Sequence, residues 1–322
     1  MRKNYKKIIF TLLPIALGVF LIWLPLSKLS SSDFVTIKNA FINANYYWIL
    51  LALFLGFLSH ASRAYRWKYL LQPLGYKLSF INSLLAVFAG YLVNFGIPRA
   101  GEITRAASIA KYENIPFEKA FGTIVAERIA DIFMLILVIL LALIFQFDLI
   151  WNLITAKLPK NPFKIVQYFI VLMLVLLLCY AVLKKISPSL FIKIKNFARG
   201  LIEGGLSILK MKHKVYFIAH TLFIWILYVL TFYFASFALP ETSNLCIEAL
   251  FTGFIVGSLS IAATNGGIGT YPLGVQQALM LYGISALPAL TFGWINWTSQ
   301  TIGIILFGAF SFFLLPIVNK SK

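Results

Sequence analysis

The chain has 322 residues, 61% of them hydrophobic and only 12% charged, with a mean hydropathy of +0.88. A soluble globular domain has roughly 45–50% apolar and about 25% charged residues, so this composition excludes a water-soluble fold and makes lipid the fitting solvent. The charge is lopsided, with 28 Lys+Arg against 10 Asp+Glu and a net +18, but the bases cluster beside apolar runs, a positive-inside pattern that argues against nucleic acid as partner.

A span needs about 20 apolar residues, and six stretches supply them. The first, Ile8–Leu29, follows the basic start Arg2-Lys3-Asn4-Tyr5-Lys6-Lys7. It is too long for a signal peptide and lacks a small-residue cleavage site, so it reads as a retained span. The second is Tyr46–Leu71. Arg63, Arg66 and Lys68 at its end read as an interfacial anchor that snorkels to the headgroups, with a substrate-entry role as the alternative.

Phe80–Ile97 comes next and is different. Pro98-Arg99-Ala100-Gly101-Glu102 follows at once, then a small-residue helix to Lys111. Phe117–Phe147 is the third span and Lys164–Leu183 the fourth. A basic, mildly amphipathic cytoplasmic loop, 184–214, leads to the fifth, Val215–Leu239. Glu248–Ala263 is again half-length, broken by Thr264-Asn265-Gly266-Gly267-Ile268-Gly269-Thr270-Tyr271-Pro272 before a second half-helix to about Tyr282. Leu290–Val318 is the sixth span.

Charge decides whether the two broken regions cross. If both turn back, the cytoplasmic segments collect the bases of 2–7, 63–77, 184–214 and 320–322. The outer segments then hold only Lys28, Lys38, Lys157, Lys160 and Lys164. If Phe80–Ile97 crossed fully, the basic loop would be forced outside, against the positive-inside rule. The expected fold is therefore all-α and polytopic, with six full spans, two opposed re-entrant broken-helix hairpins and both termini cytoplasmic. It forms one membrane domain over 1–322, with halves at 1–150 and 160–322. Each half reads span, span, hairpin, span, and three crossings per half invert the second relative to the first. Opposed broken helices in an inverted repeat are a secondary-transporter architecture; here that rests on hydropathy order alone.

A charge near a helix centre costs about 2.5–3.5 kcal/mol on insertion scales, so intramembrane charges need a reason. Arg99, Glu102 and Arg105, beside Asn94, recur every third residue near one face of the helix that Pro98 begins. Gly101 opens the same turn. A helix N-terminus aimed at the membrane interior binds phosphate, and an adjacent arginine adds a two-pronged donor. The alternative is an Arg–Glu–Arg ladder that pins the hairpin. Glu127 and Asp131, at i and i+4 around Arg128, share a helical face. They read as a proton-coupling pair, as acidic partners for Arg99 and Arg105, or as an internal salt-bridge cluster. Asn265, Gly266, Gly267, Gly269 and Thr270 form the second break. Its glycines allow backbone geometry closed to other residues, and Thr270 is a candidate cap for the helix that Pro272 begins; a plain structural turn is the bland reading.

The scattered cysteines, Cys179 and Cys246, and histidines, His60, His213 and His220, form no metal spacing, disulfide framework or nucleophile–His–acid pattern. No catalytic residue, metal or cofactor is expected. Together, Asn94–Arg105 (N-F-G-I-P-R-A-G-E-I-T-R), Glu127-Arg128-x-x-Asp131 and Gly266-Gly267-Ile268-Gly269 resemble, in order and spacing, the lysylphosphatidylglycerol synthase transmembrane-region family of flippase-like membrane proteins, over about residues 6 to 318. In bifunctional relatives such a region moves an aminoacylated phospholipid between leaflets, while a separate C-terminal domain performs aminoacyl transfer. The resemblance therefore implies a stand-alone translocator in the cell inner membrane and no synthase activity. It carries over to Arg99, Glu102, Arg105, Glu127, Arg128 and Asp131. Where many relatives have a proline before the glycine pair and an acid shortly after, this chain has Asn265 and the neutral Tyr271-Pro272, so no acid role carries over there.

The expected function is translocation of an anionic phospholipid or lipid-linked anion by alternating access, with membrane lipids as partners. The rivals are an intramembrane lipid-modifying transferase and a non-transporting partner subunit of a lipid synthase.

Overall fold

A computed structural model describes residues 30–97, 100–147 and 211–320, together with single positions at 27, 170, 173, 174, 192 and 208. The expected spans Ile8–Leu29 and Lys164–Leu183, and nearly all of the basic loop 184–214, lie outside the described residues. The chain divides into two compact units, one of Met1–Ile139 with Lys212–Lys322 and one of Leu140–Met211. The first holds nearly everything described, and the two sequence halves meet inside it.

Nine helices are described, and no strand occurs among the described residues: α1 (Ser31–Asn43), α2 (Tyr46–Leu71), α3 (Phe80–Gly96), α4 (Ala100–Tyr112), α5 (Phe117–Phe145), α6 (Lys214–Ser236), α7 (Ile247–Ala263), α8 (Thr270–Met280) and α9 (Ala286–Val318). Four of them, α2, α5, α6 and α9, are long and apolar enough to cross a membrane. They coincide with the second, third, fifth and sixth expected spans to within a few residues. The chain is an all-α, multi-pass membrane protein.

Helix α1 is not among the expected spans. Its start is nonetheless written locally: Ser30 accepts from the Asp33 N–H at 3.2 Å, and Asp33 accepts from the Ser30 N–H at 2.9 Å. This reciprocal box satisfies two backbone donors that a helix start leaves open. The Ser30 N–H, and after it the Ser30 hydroxyl at 2.8 Å, donate to the Asp33 carboxylate and hold it below its usual range, so the box is intact at neutral pH and weakens as pH falls through that lowered value. Ser30→Ala is expected to weaken α1 by about 1 kcal/mol. Faster amide exchange over 31–34, with α2 unaffected, is the readout.

The two broken regions form matching helix pairs. Their first arms, α3 and α7, have 17 residues each, and their second arms, α4 and α8, have 13 and 11. At 1.5 Å per residue, 17 residues reach only about 25 Å, short of a 30 Å hydrocarbon core. In each pair a glycine at the same place in the first arm meets the second residue of the second arm. A Cβ on Gly90 would lie 2.8 Å from the Gly101 carbonyl oxygen, and one on Gly257 would lie 2.7 Å from the Tyr271 ring. This correspondence adds residue-level support to the repeat that hydropathy order suggests.

The arms come close because these positions lack side chains. Elsewhere, Gly293 sits against the Pro272 backbone and Gly308 against Leu92 and the Phe88 carbonyl, which brings α9 onto α8 and α3. Small residues at crossings are how membrane helices associate without a hydrophobic drive between them. The main core is built by Ile49 and Ala52 of α2, Ile224 and Phe232 of α6, Phe254 of α7 and Phe292 of α9. Where the first hairpin turns, the Phe95 ring packs on Gly266 of the second break; a Cβ there would lie 2.6 Å from the ring. The two breaks therefore touch.

Candidate functional site

The polar residues that lipid should not contain converge. Glu127, midway along α5, is fully buried and faces three arginines. Arg63 of α2 pairs with Glu127 and also reaches Asp131 at 2.8 Å. Arg66 lies 3.4 Å from Glu127 and 3.5 Å from Asp131. Arg105 of α4 reaches the second Glu127 oxygen at 3.2 Å. Arg128 pairs with Asp131 at 3.3 Å and with Glu102 at 3.4 Å. One cluster thus joins α2, α4 and α5 through four guanidiniums and three carboxylates, leaving one excess positive charge.

Its walls orient three of the four arginines. Arg66 donates to Thr221 Oγ1 at 2.6 Å and lies 4.9 Å over the Phe217 ring, both on α6. Arg63 donates to the Tyr228 hydroxyl at 3.2 Å. Arg105 stacks 4.6 Å over Trp67, whose indole N–H donates to Thr123 at 2.8 Å. A planar guanidinium suits these roles because it pairs in its plane and stacks on its face. The Nε groups of Arg63, Arg66 and Arg105 are buried without a hydrogen-bond partner.

This placement corrects the reading of Arg63 and Arg66 as snorkelling anchors: they are 2% and 0% exposed. Snorkelling requires a side chain free to follow the headgroups, whereas α5 and α6 cover this stretch of α2 and supply carboxylates and hydroxyls inward. Only Lys68, half-buried over Tyr65 at 3.4 Å, keeps an aromatic interfacial setting. The signal for the other two was present, since arginines three apart inside an apolar span mark an intramembrane charge pair as readily as a span end. Tyr228 gave no signal at all.

The remaining site residues divide. Pro98 and Arg99 lie outside the described residues. Asn94 Oδ1 accepts from the Gly101 N–H at 2.7 Å, so one of the donors at the start of α4 is already taken by the chain's own side chain. At the second break, Gly266, Gly267 and Gly269 have φ of 64°, 77° and 72°, the left-handed geometry their spacing suggested. Thr270 is not the cap. It is the first residue of α8, behind Gly269, and its hydroxyl bonds Thr264 Oγ1 at 2.7 Å and the Ser260 carbonyl at 3.2 Å, which ties α8 to α7. Asn265 contributes backbone to a short 3-10 turn with Gly266 and Gly267. Trp297 donates to the Gly266 carbonyl at 2.7 Å, and buried Asn296 donates to the Tyr271 hydroxyl at 2.8 Å, so α9 fixes the second break. The second break adds no charge to the cluster, which belongs to the first half and its α6 wall. Among the described residues, no group of three His, Cys, Asp or Glu is placed to hold a metal ion.

Comparison with known proteins gives a consistent picture. The family model described as lysylphosphatidylglycerol synthase TM region matches residues 11–316. A UPF0104 membrane protein of Methanocaldococcus jannaschii is 37% identical over 98 residues, covering 30% of this chain and 29% of that protein. A UPF0104 membrane protein of Pyrococcus horikoshii is 26% identical over 177 residues, covering 54% of this chain and 51% of that protein. The chain thus spans about half or less of the curated relatives it matches. No solved structure matches it.

Proposed function

Because this chain belongs to the lysylphosphatidylglycerol synthase TM region family, we propose that it acts on membrane lipid as a translocator, moving an anionic phospholipid or lipid-linked anion between leaflets of the cell inner membrane. The observation that carries this reading is the charge imbalance of the buried cluster. Four arginines against three carboxylates, with unpartnered Nε–H groups on Arg63, Arg66 and Arg105, suit one further anion. A purely structural ion-pair cluster gains nothing from an uncompensated buried charge. A phosphate is the anion that matches a guanidinium's two-pronged donors.

In this reading the carboxylates are place-holders. Glu127 and Asp131 keep the arginines paired while no lipid is bound. A phosphate that takes over one guanidinium, Arg105 for instance, loosens the tie between α4 and α5. Rocking of one hairpin-bearing half against the other, with the Phe95–Gly266 contact parting, would then expose the site to the opposite leaflet. The positive-inside count supports cytoplasmic termini, and in this proposal the chain works as a carrier rather than an enzyme. Arg99 would add a further phosphate donor at the start of α4.

The experiment is leaflet exchange of labelled phosphatidylglycerol in proteoliposomes. Wild-type protein is expected to accelerate exchange over empty vesicles. Arg105→Gln is expected to slow it roughly tenfold or more, the loss of one charge-assisted hydrogen bond. Exchange no faster than in empty vesicles across a panel of anionic lipids would sink the reading.

A further inference from the structure

One turn from Arg63 along α2, on the side of the helix N-terminus, lies a small cavity of about 20 Å³ between α2, α3 and α9. Its wall is apolar, from Leu53, Phe57, Phe88 and Phe307, except at His60 and Gln300. His60 Nδ1 and Gln300 Nε2 are both buried and both lack a hydrogen-bond partner. Gly56 and Gly303 line the cavity and let the helices approach: a Cβ on Gly56 would lie 3.4 Å from Gln300 Oε1, and one on Gly303 would lie 3.2 Å from a Leu53 methyl. Phe307, 40% exposed, stands where the cavity meets the apolar outer surface. Two unsatisfied polar groups in an aromatic wall cost free energy unless an oxygen meets them. The cavity volume suits one oxygen atom and little more.

We propose that this pocket binds the ester carbonyl of a glycerophospholipid, with Gln300 Nε2 donating to it and His60 donating from Nδ1. The inference rests on the translocator reading and deepens it by naming the linkage chemistry of the lipid. Three residues of helix advance about 4.5 Å, and a helical side chain leans toward the N-terminus. A phosphate held at Arg63 therefore places the glycerol ester beside His60. With cytoplasmic termini, α2 runs inward, so the Arg63 end of this pair faces the cytoplasm and the His60 end faces the bilayer centre. That is the order in which a lipid of the cytoplasmic leaflet presents its phosphate and its ester. A diether lipid or a polyprenyl phosphate presents no carbonyl at that depth.

The test is competitive retention, by native mass spectrometry, of diester and chain-matched diether phosphatidylglycerol on the full-length protein. The wild type is expected to retain the diester about fivefold over the diether, the discrimination of one net hydrogen bond. Gln300→Leu is expected to bring the ratio close to one. Gly56→Ala fills the pocket at an ordinary contact distance and should do the same with the fold intact, which keeps the test valid if Gln300→Leu fails to fold. Equal retention by wild type, or an unchanged ratio in Gly56→Ala, overturns the pocket. Equal retention with normal leaflet exchange rejects the pocket alone, while selective retention without exchange upholds it and rejects translocation.

Discussion

Glu127→Gln is expected to destabilise the folded protein by about 3–5 kcal/mol, the cost of leaving buried charge unpaired. Among the described residues, Glu127 is the only carboxylate shared by Arg63, Arg66 and Arg105, which are 2%, 0% and 3% exposed. Without its charge, Arg105 loses one of the two ion pairs that tie α4 to α5, leaving only Arg128–Glu102, and Asp131 alone faces Arg63 and Arg66. Asp131→Asn should cost less, because Arg63 and Arg66 keep Glu127. The cluster also predicts non-additivity: Glu127→Gln with Arg105→Met should lose less than the two changes summed, since the second removes a cation the first orphaned. Thermal unfolding in detergent measures the wild type, the three single variants and the double variant. A Glu127→Gln midpoint within error of wild type would mean that these ion pairs do not hold the helices together.

The second large effect concerns the first hairpin. Gly101→Val is expected to cost about 3 kcal/mol, combining overpacking with loss of the Asn94–Gly101 hydrogen bond. A Cβ at Gly101 would run into the Gly90 carbonyl oxygen and the Asn94 amide, closer than real Cβ atoms approach anything. The carbonyl belongs to a helix backbone, so the clash cannot be relieved by a rotamer change and the arms must separate. Arg105 packs on the same Gly90, so separation also pulls it from Glu127 and should slow lipid exchange. Gly96→Ala, in the same hairpin but with nothing within 4 Å of its Cβ position, should stay within about 0.5 kcal/mol of wild type. Equal stability of the two variants would show that the arms are not in contact.

Helix positions were easy to read because lipid imposes a coarse rule, and α2, α5, α6 and α9 had to be long and apolar. The hairpin arms were equally legible, since Pro98 and the glycines at 266, 267 and 269 punctuate them. Helix α1 is short and carries no long apolar run, so hydropathy leaves it unmarked although Ser30 and Asp33 spell a capping box. Pro272 reads as a helix start and so makes Thr270 a candidate cap, but the helix does not begin there. The chain begins α8 two residues earlier, and the threonine hydroxyl finds α7 instead.

What the sequence determined by itself is the solvent of the protein, the order of spans and breaks, and the presence of buried charge that must be matched. These follow from local composition and the cost of polar groups in hydrocarbon. Only the tertiary structure decided which charges meet. Arg63 and Glu127 are 64 residues apart in sequence, and nothing in the spacing of either says that α5 covers the end of α2. That depends on helix crossings set by glycines such as Gly90 and Gly101, whose backbones touch. It moved Arg63 and Arg66 from the membrane surface to the centre of the site, and it placed His60 and Gln300 on one pocket.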